Sequence, residues 1–129
     1  MPQQPEQYRT IVDRAVELMR RRTEEPIRIA AISRAVGISE RTLVRAFRAI
    51  HGTTPYRYLS RLRLLDARRV LSSGNGETVT GVATRFGFGE LGRFSAAYRS
   101  AFGESPSDTL RRASQPGQEP PSPLVGCVE

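Results

Sequence analysis

The chain has no lysine and no tryptophan, and its 129 residues include one cysteine and one histidine. The lone Cys127 has no partner, which excludes a disulfide framework and a thiolate zinc site and leaves a reducing, cytoplasmic location as the expectation. His51 lacks companions that could share a metal ion, so no metal and no cofactor is expected. Its place at a helix C-terminus, where positive charge is favoured, accounts for it. No apolar run approaches the roughly 18 residues that a membrane span needs. The opening Met1-Pro2-Gln3-Gln4-Pro5-Glu6-Gln7 lacks the charged and apolar regions of a signal peptide, so no membrane partner is expected. No clustered His, Cys, Asp or Glu offers a catalytic site, and Ser39 would have only His51 as a base, so the chain is not expected to be an enzyme. With 38% hydrophobic residues, this length fits one compact domain, or two small lobes sharing a helix.

What is abundant is arginine. All 20 basic residues are Arg, against 13 acidic ones, for a net charge of +7 and a sequence pI near 10.9. That balance favours a polyanionic partner. Counted as Arg against Asp plus Glu, residues 1–25 carry 5 and 5, residues 26–73 carry 10 and 2, residues 74–113 carry 5 and 4, and residues 114–129 carry 0 and 2. The excess therefore sits in one internal segment. A solvated surface usually mixes both signs, so this concentration points to a partner for that segment.

Apolar periodicity gives the organisation. Tyr8, Ile11, Val12, Ala15 and Met19 predict an amphipathic helix over about 5–22. Ile29, Ile32 and Val36 lead to Gly37-Ile38-Ser39, after which Leu43, Ala46, Phe47 and Ile50 continue to Gly52. The glycine permits a sharp turn and Ser39 can cap the helix that follows. Two short helices joined by such a turn are the helix-turn-helix pattern. From Thr54-Pro55 a longer helix is predicted to about Ser72, with Tyr58, Leu62 and Leu65 on one side and Leu64, Ala67 and Leu71 nearly opposite. Arg57, Arg61 and Arg68 form a column between these stripes. Ser72-Ser73-Gly74-Asn75-Gly76 then ends the helix.

The pattern repeats. Ile29, Ile32, Ser33, Val36, Gly37 and Ile38 match Val79, Val82, Ala83, Phe86, Gly87 and Phe88 at an offset of 50. Leu43, Phe47, Arg48, Gly52, Thr54 and Pro55 match Phe94, Tyr98, Arg99, Gly103, Ser105 and Pro106 at an offset of 51, one residue having been inserted. The expected fold is all-α, about seven helices, with two helix-turn-helix lobes bridged by a long shared helix. Residues 1–113 are expected to form the tandem helix-turn-helix domain: lobe one 5–52, bridging helix 55–72, lobe two 78–112. Phe86, Phe88, Phe94, Tyr98 and Phe102 are expected in the core of the second lobe. Residues 114–129, rich in Pro, Gln and Ser, are expected to be a disordered tail.

The run Gly37-Ile38-Ser39-x-Arg41-Thr42-Leu43-x-Arg45-x-Phe47-Arg48, with Gly52-x-Thr54-Pro55-x-x-Tyr58-Leu59, Arg63-Leu64-x-x-Ala67-Arg68-x-x-Leu71 and Val82-Ala83-x-x-x-Gly87-Phe88, resembles the DNA-binding domain of AraC/XylS-type transcription regulators. The resemblance covers about residues 7–112. It implies a sequence-specific, double-stranded DNA-binding regulator that places recognition helices 40–50 and 90–102 in successive major grooves, usually to activate transcription. It also implies that a separate effector-binding or dimerisation domain commonly precedes this one. Three positions depart from the family's pattern: Ala96 stands in the slot that holds Arg45 in the first lobe, Gly92 interrupts the second recognition helix, and Thr109 replaces the usual Tyr. Base reading is therefore expected to concentrate in the first lobe.

The recognition chemistry assigns roles to individual residues. Arg41, Val44 and Arg45 share one face of the first recognition helix, where arginine can donate twice to guanine O6 and N7 and valine can touch a thymine methyl. Arg93 and Ser95 are the base-contacting candidates of the second. Ser39, Arg48, Arg57, Arg61 and Arg99 are the phosphate-contacting candidates. Expected partners are double-stranded DNA and RNA polymerase, with the isolated domain monomeric. The alternative is a helix-turn-helix module used mainly for protein–protein contact with the transcription machinery; salt-sensitive DNA retention without sequence preference would mark it.

Overall fold

The structure, a computed structural model, describes residues 5–114. The expected disordered tail from residue 115 onward, with Cys127, lies outside the described residues. The described regular structure is helical throughout, in seven helices and no strand: α1 Pro5–Arg21, α2 Ile29–Val36, α3 Glu40–His51, α4 Pro55–Ser72, α5 Val79–Arg85, α6 Leu91–Phe102 and α7 Pro106–Ala113. None of these is long and apolar enough to cross a membrane. The chain divides into two compact units, Met1–Leu62 and Arg63–Glu129.

In the first unit, α1 forms because Val12, Ala15 and Met19 recur on one face, and all three are fully buried. Glu6 in its first turn and Arg20 and Arg21 in its last complement the helix dipole. That apolar face packs on α2 and α3. Helix α2 ends at Gly37, in the left-handed region at φ 86°, which an L side chain adopts only with strain. The Ile38 N–H then donates back to the Ser33 carbonyl at 3.0 Å. Ser39 starts the next helix, its Oγ accepting from the Thr42 N–H at 3.1 Å, a cap typically worth about 1 kcal/mol. Leu43, Ala46 and Phe47 of α3 are completely buried, and Phe47 meets Tyr58 of α4 edge to face at 5.5 Å.

His51 differs from its expectation as a charged helix end. Its ring lies 4.7 Å from that of Tyr58 and 6.1 Å from that of Phe47. Burial, and then the positive charge of Arg9, lower its pKa, and Asp13 only partly offsets them. It is better described as an aromatic neighbour than as a cation for the dipole.

Thr54 caps α4, its Oγ1 accepting from the Arg57 N–H at 3.2 Å. Buried Tyr58, Leu59 and Leu62 belong to the first unit, whereas Leu64, Ala67 and Leu71 join the core of the second. The expected stripes are adjusted at two residues. Leu59, absent from both, is 1% exposed, and Leu65, expected beside Tyr58 and Leu62, packs on the second core. The partner changes along the length of the helix, between Leu62 and Arg63, so position along the axis matters as well as position around it.

The second unit repeats the local geometry with different side chains. Thr78 caps α5, its Oγ1 accepting from the Gly81 N–H at 2.9 Å. The Phe88 N–H donates to the Ala83 carbonyl at 2.8 Å, the counterpart of the Ile38 to Ser33 bond. Ser105 and Asp108 form a reciprocal capping box at the start of α7. The core is aromatic: Phe86, Phe94, Tyr98 and Phe102 are all buried, Phe88 is packed at its margin, and the Tyr98 and Phe102 rings meet edge to face at 4.7 Å. The Arg68 guanidinium lies over the Phe102 ring, 5.0 Å from its centroid.

A buried polar chain joins α6 to α7. Thr109 Oγ1 donates to Glu104, which is also paired with Arg112. Because that hydroxyl has one hydrogen, the 2.8 Å bond between Tyr98 and Thr109 is donated by the phenol. Burial is the largest influence on Tyr98 and pushes it up to about 12, so it keeps that proton. Burial also pushes the Glu104 carboxyl up, but the bonds from Arg112 and Thr109 outweigh it and hold the carboxyl below its ordinary value.

Two outcomes follow. Leu71→Ala should lower stability by about 2–5 kcal/mol, the usual range for emptying a packed site, as measured by urea unfolding. Since Glu104 titrates lower in the folded chain than in the unfolded chain, its contribution is complete above the ordinary carboxylate value and is lost as pH falls through the lowered one. Glu104→Gln should therefore flatten the decline in stability as pH falls below the ordinary carboxylate value, read from thermal unfolding across the acid range.

Candidate nucleic-acid interface

Packing decides which side of α3 stays bare. At about 100° per residue, fixing Leu43, Ala46 and Phe47 inward leaves Arg41, Arg45 and Arg48 exposed on the opposite side, with Val44 half-buried at its edge. The turn of residues 37–39 and the Ser39 cap set the angle at which this side leaves α2. Three guanidiniums and one small apolar group on a single helix face can donate paired hydrogen bonds, neutralise phosphate and cover a methyl group. Ser39 is less available than its expected phosphate role requires. Its Oγ accepts from the Thr42 N–H at 3.1 Å and donates to Thr42 Oγ1 at 3.0 Å, so it must give up the second bond to donate to an anion.

The matching side of α6 is built from shorter side chains. Phe94, Tyr98 and Phe102 turn inward, and Arg93, Ala96 and Arg99 are exposed with Ser95 half-buried. Arg93 Nε is paired with Glu90 at 3.0 Å, one turn earlier. Both side chains are largely in water, so the pair is weak and readily exchanged for another partner. The α3 residues lie in the first unit and the α6 residues in the second.

The remaining candidates sit on α4. Arg57 is exposed in its first turn, whereas Arg61 is half-buried one turn later. Beside Arg57 stands Tyr56, 64% exposed, which the apolar pattern left unassigned because it falls outside both stripes of α4. Its position directly after the Thr54-Pro55 start, next to an arginine, was the available signal. Among the described residues no group of His, Cys, Asp or Glu is arranged to hold a metal ion.

Comparison with known proteins places this arrangement in context. A family profile described as "Helix-turn-helix domain" matches residues 32–112. The XylDLEGF operon transcriptional activator of Pseudomonas putida is 37% identical over 102 residues, covering 78% of this chain and 32% of that protein. A probable AraC family transcriptional regulator from Rhodopseudomonas palustris superposes with a TM-score of 0.77 at 38% identity, over 81% of this chain and 97% of that one. The DNA-binding domain of the global transcriptional factor AdpA, solved in complex with a target DNA, superposes with a TM-score of 0.72 at 26% identity, over 84% and 97% of the two chains. The chain spans about a third of the length of the curated relatives it matches. The two helix-turn-helix units and the profile that runs through both agree: this chain belongs to the AraC family of helix-turn-helix transcription regulators.

Proposed function

We propose that this chain is the sequence-specific, double-stranded DNA-binding part of a cytoplasmic transcription activator. It spans a tandem domain over 1–113 with lobes 5–52 and 78–112 joined by helix 55–72, and it inserts α3 and α6 into successive major grooves. The observation that carries this is the bare side of α3, where Arg41, Arg45 and Arg48 are exposed directly behind a helix-turn-helix bend. A recognition helix meets base edges through its N-terminal residues, which gives base contact to Arg41, Val44 and Arg45 and to Arg93 and Ser95. Phosphate contact falls to Arg48, Arg57, Arg61 and Arg99, with Ser39 contributing once its hydroxyl is released from Thr42. Activation through contact with RNA polymerase on the same duplex is part of this proposal, as is a chain that acts as a monomer. The relation to a regulator that is 37% identical over the shared region and named an operon activator supports activation.

The experiment is selection of bound sequences from random duplexes, followed by competition with single-base variants at fixed salt. Arg45→Ala should cost about 1–3 kcal/mol of specific affinity and relax one base position. Arg99→Ala should weaken binding to all sequences alike and flatten the salt dependence, as loss of a phosphate contact does. Binding to the parent duplex that shows no sequence preference at any salt concentration would remove the proposal. The selected site should be asymmetric, with its two contacted segments about 34 Å apart, one helical turn. Sedimentation should find one chain per duplex; two chains on a palindrome would contradict the monomer.

A further inference from the structure

Like that of α2, the opening turn of α6 lacks the side-chain cap found at the starts of α3, α4, α5 and α7. Ser39, Thr78 and Ser105 each accept a hydrogen bond from the backbone of the helix they begin, whereas Glu90 occupies the same place on α6 and makes no side-chain cap. Its carboxylate is turned to Arg93 instead. The next residue, Leu91, is 45% exposed, and among the described residues only Tyr56 joins it as an exposed large hydrophobic side chain. Gly92 follows, a poor helix former, yet a Cβ built there would meet nothing within 4 Å. Packing within the chain therefore gives no reason for glycine. Glu90 forgoes a cap, Leu91 leaves apolar surface in water and Gly92 gives up helix propensity, and three such residues in succession are the pattern of a contact surface. A negative charge at a helix start does relieve the dipole, but Asp would do so and cap the helix as well.

We infer that this turn is a specificity-determining element of the second recognition helix, in which Glu90 and Arg93 together read a cytosine and a guanine on neighbouring base pairs. The inference rests on the function proposed above, where the second unit had only Arg93 and Ser95 as base-contacting candidates. A carboxylate alone is repelled by the phosphates around a groove. Glu90 enters as half of a pair with no net charge, its side chain 66% and that of Arg93 86% exposed, so both can turn to new partners at little cost. The carboxylate accepts from the cytosine N4 amino group and opposes guanine O6 and N7 and thymine O4, which offer only acceptors; the guanidinium donates to guanine O6 and N7. At the repeat offset of 51, Gly92 occupies the slot of Arg41 in α3. With no side chain there, the turn can approach the base edges closely enough for Glu90 to reach them, and Leu91 is left to cover a thymine methyl.

The test uses the full chain, the duplex selected by it, and three variants measured for both thermal unfolding and binding. Glu90→Gln should exchange a preference for cytosine at one pair for adenine, the base that glutamine pairs with twice. Arg93→Ala should relax the neighbouring guanine. Gly92→Ala should unfold about 4–8 °C higher, because alanine favours the helix, and still bind the selected duplex about tenfold more weakly, the loss of one good base contact. Loss of fold cannot produce that combination. A Gly92→Ala chain that is more stable and binds equally well, or a Glu90→Gln chain with an unchanged base profile, overturns the inference while the proposed function stands. A parent chain that selects no sequence overturns both.

Discussion

Each recognition helix depends on aromatic side chains that are driven fully out of water. Phe47 fills this role for α3, and Phe94 with Tyr98 fills it for α6. Burying a side chain of that size contributes on the order of 2–3 kcal/mol, and it also fixes the rotation of the helix about its own axis. Once that rotation is set, the identity of the exposed side is determined, since residues three and four apart share a face. The bare arginine side of α3 and the short-side-chain side of α6 are thus consequences of where the aromatic residues fall in register. The α1 helix serves the same end, because its Val12, Ala15 and Met19 face packs on α2 and α3 and has no part in the exposed surface.

The two units reach similar backbone geometry by different chemistry. In the first, the core is built of aliphatic and aromatic side chains, and the buried side-chain hydroxyl of Ser33 bonds back to the Ala30 carbonyl at 2.9 Å. In the second, the last helix is tied in by Tyr98, Thr109, Glu104 and Arg112, a chain in which each polar atom has a partner. A partly satisfied chain would destabilise the unit, because a buried polar group without a partner costs about 1–3 kcal/mol. Thr109 is a proton donor with a defined direction.

Much of this was legible in the residues. The helix starts were readable because Ser39 and Thr54 are short hydroxyl side chains placed where an orphan N–H must be met, and the stops because Gly37 and Gly52 can adopt positive φ. The repeat was readable because the same backbone bond, Ile38 to Ser33 and Phe88 to Ala83, requires a small or turn-permitting residue at the same spacing each time. Other features depend on tertiary neighbours. Leu59 and Leu65 follow the helical period equally well in several assignments, and only the change of partner along α4 decides between them. The neutral tendency of His51 comes from burial and Arg9 on another helix, and the Tyr98 to Thr109 bond joins side chains of two different helices. Of the candidate site, the α3 face was visible from spacing alone. The start of α6 was not, because its significance is a cap that is missing, and a missing cap is seen only when the hydrogen bonds are known.

The buried hydroxyl chain has an optical consequence. The protein has no tryptophan, so its near-ultraviolet absorption and emission come chiefly from its tyrosines. Tyr98 donates to Thr109 within a few ångströms of the Glu104 carboxylate, and its ionisation is delayed to about pH 12. The state of the α7 attachment is therefore written into the intrinsic tyrosine spectrum, where it can be followed on native protein without a label.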